Sequence, residues 1–286
     1  MTVIDKPVLR YHGGKFRLAA WIMSFFPTHT CYVEPFGGAA GVLIQKERVY
    51  AEVYNDLDTE VANFFKVLRD PALRAQLINA VVLTPYARTE FELSWLPLAD
   101  EGDIIESARR LCIRAQMGFG SAGATKGTTG FRIDTKRDYG TAQHLWTQYP
   151  AAIAAAGERL AGVLIENRPA IEVMAQHDAP DTLHFVDPPY VHSTRTHGGR
   201  KGYRHEMTDD DHAALLDALC ALKGMVVVSG YPTDLYNDRL ASWERYTTSS
   251  RIAGGRGSVL REEVVWINPA CSAALEFEAS QQRLFA

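Results

Sequence analysis

Apolar residues along the chain follow two rhythms. Short unbroken runs at Cys31–Glu34, Ala51–Tyr54, Val163–Asn167, Thr182–Val186 and Met225–Ser229 are the pattern of strands covered on both faces. Other apolar residues recur at helical spacing: Leu18, Ile22, Phe25 and Phe26, then Val61, Phe64, Phe65 and Leu68, then Leu215, Leu219 and Leu222. A short helix is expected from Val42 to Lys46, and Thr208-Asp209-Asp210-Asp211 reads as a helix cap. Near the end, Tyr246–Ile252 and Glu263–Ile267 flank Gly254-Gly255-Arg256-Gly257, which predicts an antiparallel hairpin.

From Pro71 to about Pro150 the alternation of strand and helix stops. Helical patterns cover Leu73–Val81 and Ile104–Ala115, and a glycine-rich basic stretch follows from Gln116 to Arg132, the composition of a functional loop. The expected architecture is α/β: residues 1–70 and 150–286 form a mostly parallel, Rossmann-like sheet ending in an antiparallel hairpin, and residues 71–149 form an inserted, mainly helical region.

With 286 residues, 47% of them apolar, the chain can bury a full core. No apolar stretch approaches the roughly 20 residues that span a bilayer. The first residues lack a basic segment followed by an apolar one, so the expected compartment is the cytoplasm. Cys31, Cys112, Cys220 and Cys271 are too dispersed for a zinc knuckle or a disulfide framework. His192, His197 and His205 lack the helical pairing and carboxylates of a metal site, and no metal is expected. A net charge of −4 argues against a generic polyanion binder, but basic charge is concentrated locally. Arg109–Asp138 holds seven Lys/Arg against two acids, and Arg245–Arg261 holds four Arg and no acid.

The chemistry centres on Asp187-Pro188-Pro189-Tyr190, which ends an apolar run. Two prolines cannot continue a buried strand, so Asp187 stands at its carboxyl end, where open parallel sheets bind ligands. The Asp187 carboxylate and the Pro188 carbonyl offer two acceptors to one amine, and Tyr190 offers a stacking face. That is a seat for the exocyclic NH2 of a planar base. Cys31 to Gly41 reads as a strand entering a glycine turn of the nucleotide-binding kind, although without the dinucleotide spacing. Asp56, after the second strand, is placed either to meet ribose hydroxyls or to cap the following helix. The Gly13-Gly14-Lys15 segment fails as a phosphate loop, because the upstream glycine and the following Ser/Thr are missing.

Asp-Pro-Pro-Tyr resembles the catalytic motif of amino-group methyltransferases, which use S-adenosylmethionine. Glu34-Pro35-Phe36-Gly37-Gly38 resembles the donor motif of the Dam-type DNA adenine methyltransferases, and Tyr11 to Lys15 resembles the segment that opens their chains. The order of the three segments matches that family. The resemblance implies methylation of adenine N6 in double-stranded DNA, on a base swung out of the stack. Cytosine N4, RNA adenine and a non-catalytic binding module are the alternatives.

By the same resemblance Asp187, Pro188, Pro189 and Tyr190 are catalytic. Tyr11, Gly13, Gly14, Lys15, Glu34, Pro35, Phe36, Gly37, Gly38, Asp56 and Asp187 bind the donor. Asn167, or a main-chain group, is expected to replace a donor-contacting acid whose place Pro169 occupies. Residues 71–149 become the target-recognition region, with Lys15, Arg114, Phe119, Lys126, Phe131, Arg132, Lys136 and Arg137 as DNA contacts. Arg195 and Tyr203, past the tetrapeptide, are expected to help close over the target nucleotide. The segment typical of GATC-specific relatives is replaced by Phe131-Arg132-Ile133-Asp134, so the target sequence is not inherited. The setting implied is restriction-modification, replication control or phage protection, with a monomer or weak dimer.

Overall fold

The computed structural model describes residues 4–121, 123–125, 129–133, 141–191, 203–254 and 257–284, and for 250–254 and 257–261 the backbone alone. The strands are β1 (Cys31–Glu34), β2 (Ala51–Asn55), β3 (Leu164–Glu166), β4 (Thr182–Val186), β5 (Met225–Gly230), β6 (Glu244–Gly254) and β7 (Gly257–Ile267). The helices are α1 (Ala19–Met23), α2 (Thr59–Arg69), α3 (Pro71–Val82), α4 (Arg88–Leu93), α5 (Ile104–Met117), α6 (Ala142–Leu160), α7 (Ala170–Gln176), α8 (Asp209–Ala221), α9 (Asp234–Arg239) and α10 (Pro269–Leu284).

The sheet order is β3-β2-β1-β4-β5-β7-β6. All neighbours from β3 to β5 are parallel, and β7 runs antiparallel to both β5 and β6. The expected mostly parallel sheet with a terminal hairpin is what forms. Strand periodicity divides the side chains between two faces. Leu183, Phe185 and Val227 join the core cluster that also holds Phe64, Leu111 and Ile153 of α2, α5 and α6, while Val186, Val226 and Val228 join Leu215, Leu219 and Tyr236 of α8 and α9. Helices therefore cover both faces.

Caps begin the helices where the sequence supplies them. Thr208 and Asp211 form a reciprocal capping box on α8, Asp58 caps α2 by accepting from Glu60 N, and Asp103 caps α5 by accepting from Glu106 N. Two expectations are corrected. The hairpin strands are longer than expected, extending in register from Glu244↔Ile267 to Gly254↔Gly257. The helix at 42–46 is only a run of turns, with Ile44 N donating to Ala40 O and Lys46 N to Val42 O at 3.0 Å each. Its Leu43 N–H is spent on the buried Glu34 carboxylate, 3.1 Å away. Helix α6 runs through Pro150, because Trp146, Tyr149, Ile153 and Leu160 keep one face in the core despite the amide hydrogen bond that proline forfeits.

α6 also reaches beneath the sheet's β2 end. Arg159 donates to both carboxylate oxygens of Glu52, at 2.7 and 2.8 Å, and to the Lys46 carbonyl. Among the described residues no helix is long and apolar enough to cross a membrane.

Candidate active site

In this strand order the chain moves outward from β1 to β2 and β3, then returns to lay β4 on the other side of β1. The carboxyl ends of β1 and β4 thus flank the point where the winding reverses, the crevice in which such sheets bind ligands. Glu34 ends β1, and Asp187 follows β4.

The turn after β1 is built by close contact. A Cβ on Gly37 would lie 2.1 Å from the Tyr54 ring, and Gly38 has φ +48°. The turn is stitched to the end of β2: Gly37 N donates to Asn55 O at 2.7 Å, Tyr54 donates its hydroxyl proton to Gly38 O at 2.7 Å, and Gly38 N donates to Asp56 Oδ2 at 2.8 Å. Asn55, buried beneath, donates to the carbonyls of Pro35 and Arg168 and so ties the ends of β1, β2 and β3 together. Glu34 accepts from the Tyr32 hydroxyl at 2.7 Å, and burial pushes its carboxyl up to about 8.

Asp56 accepts from Gly38 N and from Asp58 N, and burial pushes its carboxyl up to about 6 in spite of those bonds. The cap of α2 is Asp58, not Asp56. Asn167 is turned elsewhere: its Nδ2 donates to the carbonyls of Asp56 and Leu57, at 2.7 and 3.1 Å. It braces the Asp56 loop from behind and is not among the residues lining the cleft, whereas Pro169, Ala170 and Ile171 are. The expectation that Asn167 faces the donor is therefore corrected, because its amide is committed to backbone.

At the other strand end, the Lys15 ammonium lies 2.9 Å from Asp187 Oδ1. It donates to the Tyr190 hydroxyl and, at 3.2 Å, to Gly13 O. Off the line of a hydrogen bond to Oδ1, the ammonium leaves that buried oxygen with acceptor capacity unspent. Burial pushes the Asp187 carboxyl up to about 6, and Glu263 adds to the rise, against the lowering effects of Lys15 and the Ser229 hydroxyl. Burial also works against the charge on Lys15, but Asp187 and Glu263 outweigh it and raise its pKa. Tyr190 donates to Glu263 Oε2 at 3.0 Å, and its ring packs 4.2 Å from that of Tyr231. Sequence reasoning missed Glu263, since an acid in a hairpin strand carries no signal until the strand is laid against β5.

Both strand ends open onto one cleft with a cavity volume of about 350 Å³. Tyr11, Gly13, Gly14, Lys15, Glu34, Pro35, Phe36, Gly37, Gly38, Asp56, Asp187 and Pro189 all line it. The volume falls in the range of small-molecule sites, roughly 300–1,000 Å³. Pro188 is buried beneath, and Tyr190 stands behind Asp187 instead of in the wall. Tyr203 and Arg204 roof the cleft. The Tyr203 hydroxyl donates to His12 O at 3.2 Å and lies 2.2 Å from where a Cβ on Gly13, φ +76°, would stand. Arg204 pairs with Asp58 and Glu60. Among the described residues no cluster of His, Cys, Asp and Glu could hold a metal.

The expected DNA contacts divide. Arg114 is 4% exposed; it holds both Glu60 oxygens at 2.9 Å and the Ser94 carbonyl at 2.6 Å, and stacks over Trp95. Arg132 is 6% exposed. Both are corrected: neither side chain is exposed. Phe131 packs on Tyr86 and Phe91 under the Arg88 guanidinium, so it too is committed to the interior. Phe119 is 67% exposed, one residue beyond the Gly118↔Phe131 bridge. Lys126, Lys136, Arg137 and Arg195 lie outside the described residues.

Residues 11–92 match the family described as D12 class N6 adenine-specific DNA methyltransferase. Among solved structures the chain is similar to a precorrin 8w decarboxylase from Methanobacterium thermoautotrophicum, at 12% identity and a TM-score of 0.34, over 88% of each chain. No curated protein matches. The matched stretch holds the Gly-Gly-Lys segment and the whole glycine corner, so over residues 11–92 the chain is similar to the D12 class of N6 adenine-specific DNA methyltransferases.

Proposed function

We propose that the protein transfers a methyl group from S-adenosylmethionine to N6 of an adenine flipped out of double-stranded DNA. The observation that carries this reading is the single cleft shared by the glycine corner after β1 and Asp187 after β4. Two substrates can meet there without crossing solvent.

The residues present suit such a donor. The glycine corner admits close approach of a ligand, Asp56 supplies an acceptor for its ribose hydroxyls, Glu34 adds a polar carboxyl to the floor, and Phe36, Pro169 and Ile171 supply apolar wall for its purine. When bound, it supplies an activated methyl on sulfur. On the target side, Asp187 and the Pro188 carbonyl accept the two amine hydrogens and localise the nitrogen lone pair that attacks. That lone pair would take the methyl group the bound donor supplies, and Asp187 would take the proton that the alkylated amine sheds and pass it to solvent. Asp187 must be ionised to serve as an acceptor, which its carboxyl at about 6 allows at neutral pH.

We assign target recognition to the helical region from Pro71 to residue 149, with Phe119 at its exposed tip, and take the enzyme to act in the cytoplasm as a monomer or weak dimer. The test is incubation of the purified chain with duplex DNA and donor carrying a labelled methyl, followed by digestion to nucleosides. Label in N6-methyladenosine is the expected result. Label in N4-methylcytosine, label in RNA alone, or none on duplexes of varied sequence would overturn the reading.

A further inference from the structure

We propose that Glu263, on the antiparallel strand β7, is a positioning residue for methyl transfer, acting on Asp187 through the Tyr190 hydroxyl and Lys15. The inference rests on the function proposed above and adds a residue from a strand that carries none of the motifs.

Hydrogen-bond direction links these residues. A phenol has one proton to donate and lone pairs to accept with. Tyr190 donates its proton to Glu263 Oε2 at 3.0 Å, which leaves its oxygen lone pairs facing the Lys15 ammonium, and Lys15 donates to that oxygen. The same ammonium lies 2.9 Å from Asp187 Oδ1. The chain of contacts thus runs from β7 to the strand end that holds Asp187, and its polarity is set by the carboxylate at its far end. Glu263 is 5% exposed, so its charge acts across a poorly screened interior.

Two consequences follow for the reaction. With Glu263 in place, Lys15 is held between two anions, and an arriving amine can take Asp187 Oδ1 while the ammonium keeps a stable seat on Tyr190. Without an acceptor at position 263, the Tyr190 hydroxyl can turn its proton toward Lys15. The ammonium then loses that seat, leans wholly on Asp187 and competes with the substrate for the same oxygen.

The test compares Glu263→Leu, Glu263→Gln, Tyr190→Phe and the double variant Glu263→Leu/Tyr190→Phe, alongside the native chain, in single-turnover methyl transfer. Glu263→Leu is expected to lower kcat about 10- to 100-fold while KM for the donor stays within about twofold. Glu263→Gln keeps an acceptor for the hydroxyl and is expected to recover most of that loss. Because the effect passes through one hydroxyl, the double variant should be no slower than Tyr190→Phe alone. Should Glu263→Leu fail to fold, Tyr190→Phe deletes the same link and must show the kcat loss by itself. Native kcat in either single variant, or losses that multiply in the double one, would overturn the proposal. A native chain inactive on every nucleic acid would instead defeat the assigned function, a result distinct from active variants.

Discussion

The cleft floor and the helical region between α3 and α6 treat their charges in opposite ways. At the ends of β1 and β4, Glu34 and Asp187 are held against a cavity with their carboxyls pushed up to about 8 and about 6. In the helical region Arg114 and Arg109 are spent on internal partners: Glu60 and Ser94 for one, Glu90 and Glu106 for the other. The difference lies in what fixes each residue. A side chain at a strand end is delivered to the crevice by the backbone whatever its neighbours. A basic residue on a helix goes where its face goes, and a long guanidinium stem reaches whatever acid is at hand. Basic composition therefore locates a cleft poorly, and strand termination locates it well.

The largest expected effect tests the cleft side. Asp187→Ala should reduce methyl transfer about 10²- to 10³-fold or more while donor binding, followed by calorimetry, is largely kept. Equal turnover would remove the floor from the comparison. On the helical side, Arg114→Ala should cost about 2–3 kcal/mol of stability, since it strips Glu60 and Ser94 of a buried partner, and melting should fall by about 5–10 °C. DNA affinity of the folded fraction should not change, and a selective loss of DNA binding with native melting would show that Arg114 reaches outward after all. A third measurement is the pH profile. With Asp187 at about 6, protonation at lower pH removes an acceptor, so kcat should fall about tenfold per unit below that value and level off above it. A flat profile from pH 5 to 8 would refute the ionised role. The smallest effect belongs to the exposed tip: Phe119→Ala should weaken duplex binding by about fivefold to tenfold and leave melting unchanged.

Much of this architecture is legible in the order of residues alone. The strand ends at Glu34 and Asp187 follow from prolines and glycines that leave the backbone no alternative, and the α2 stripe of Val61, Phe64, Phe65 and Leu68 is buried as its spacing requires. Glu263 is illegible because its neighbours come from β4 and from Lys15, far away in the chain. Asn167 misleads for a related reason. An amide beside a cleft has two directions available, and here it satisfies the Asp56 and Leu57 carbonyls. The turns at 42–46 look helical in sequence because nothing local reveals that Glu34 claims an amide of that segment. Pro150 lies inside α6, where packing against the core outweighs the hydrogen bond that proline forfeits.

Tyr203 and His12 are 191 residues apart, and their hydrogen bond closes the roof of the cleft. A segment that precedes β1 and one that follows β4 thus meet over one mouth. One hydrogen bond ties the opening motif to a segment that follows the tetrapeptide, across the mouth of the cleft.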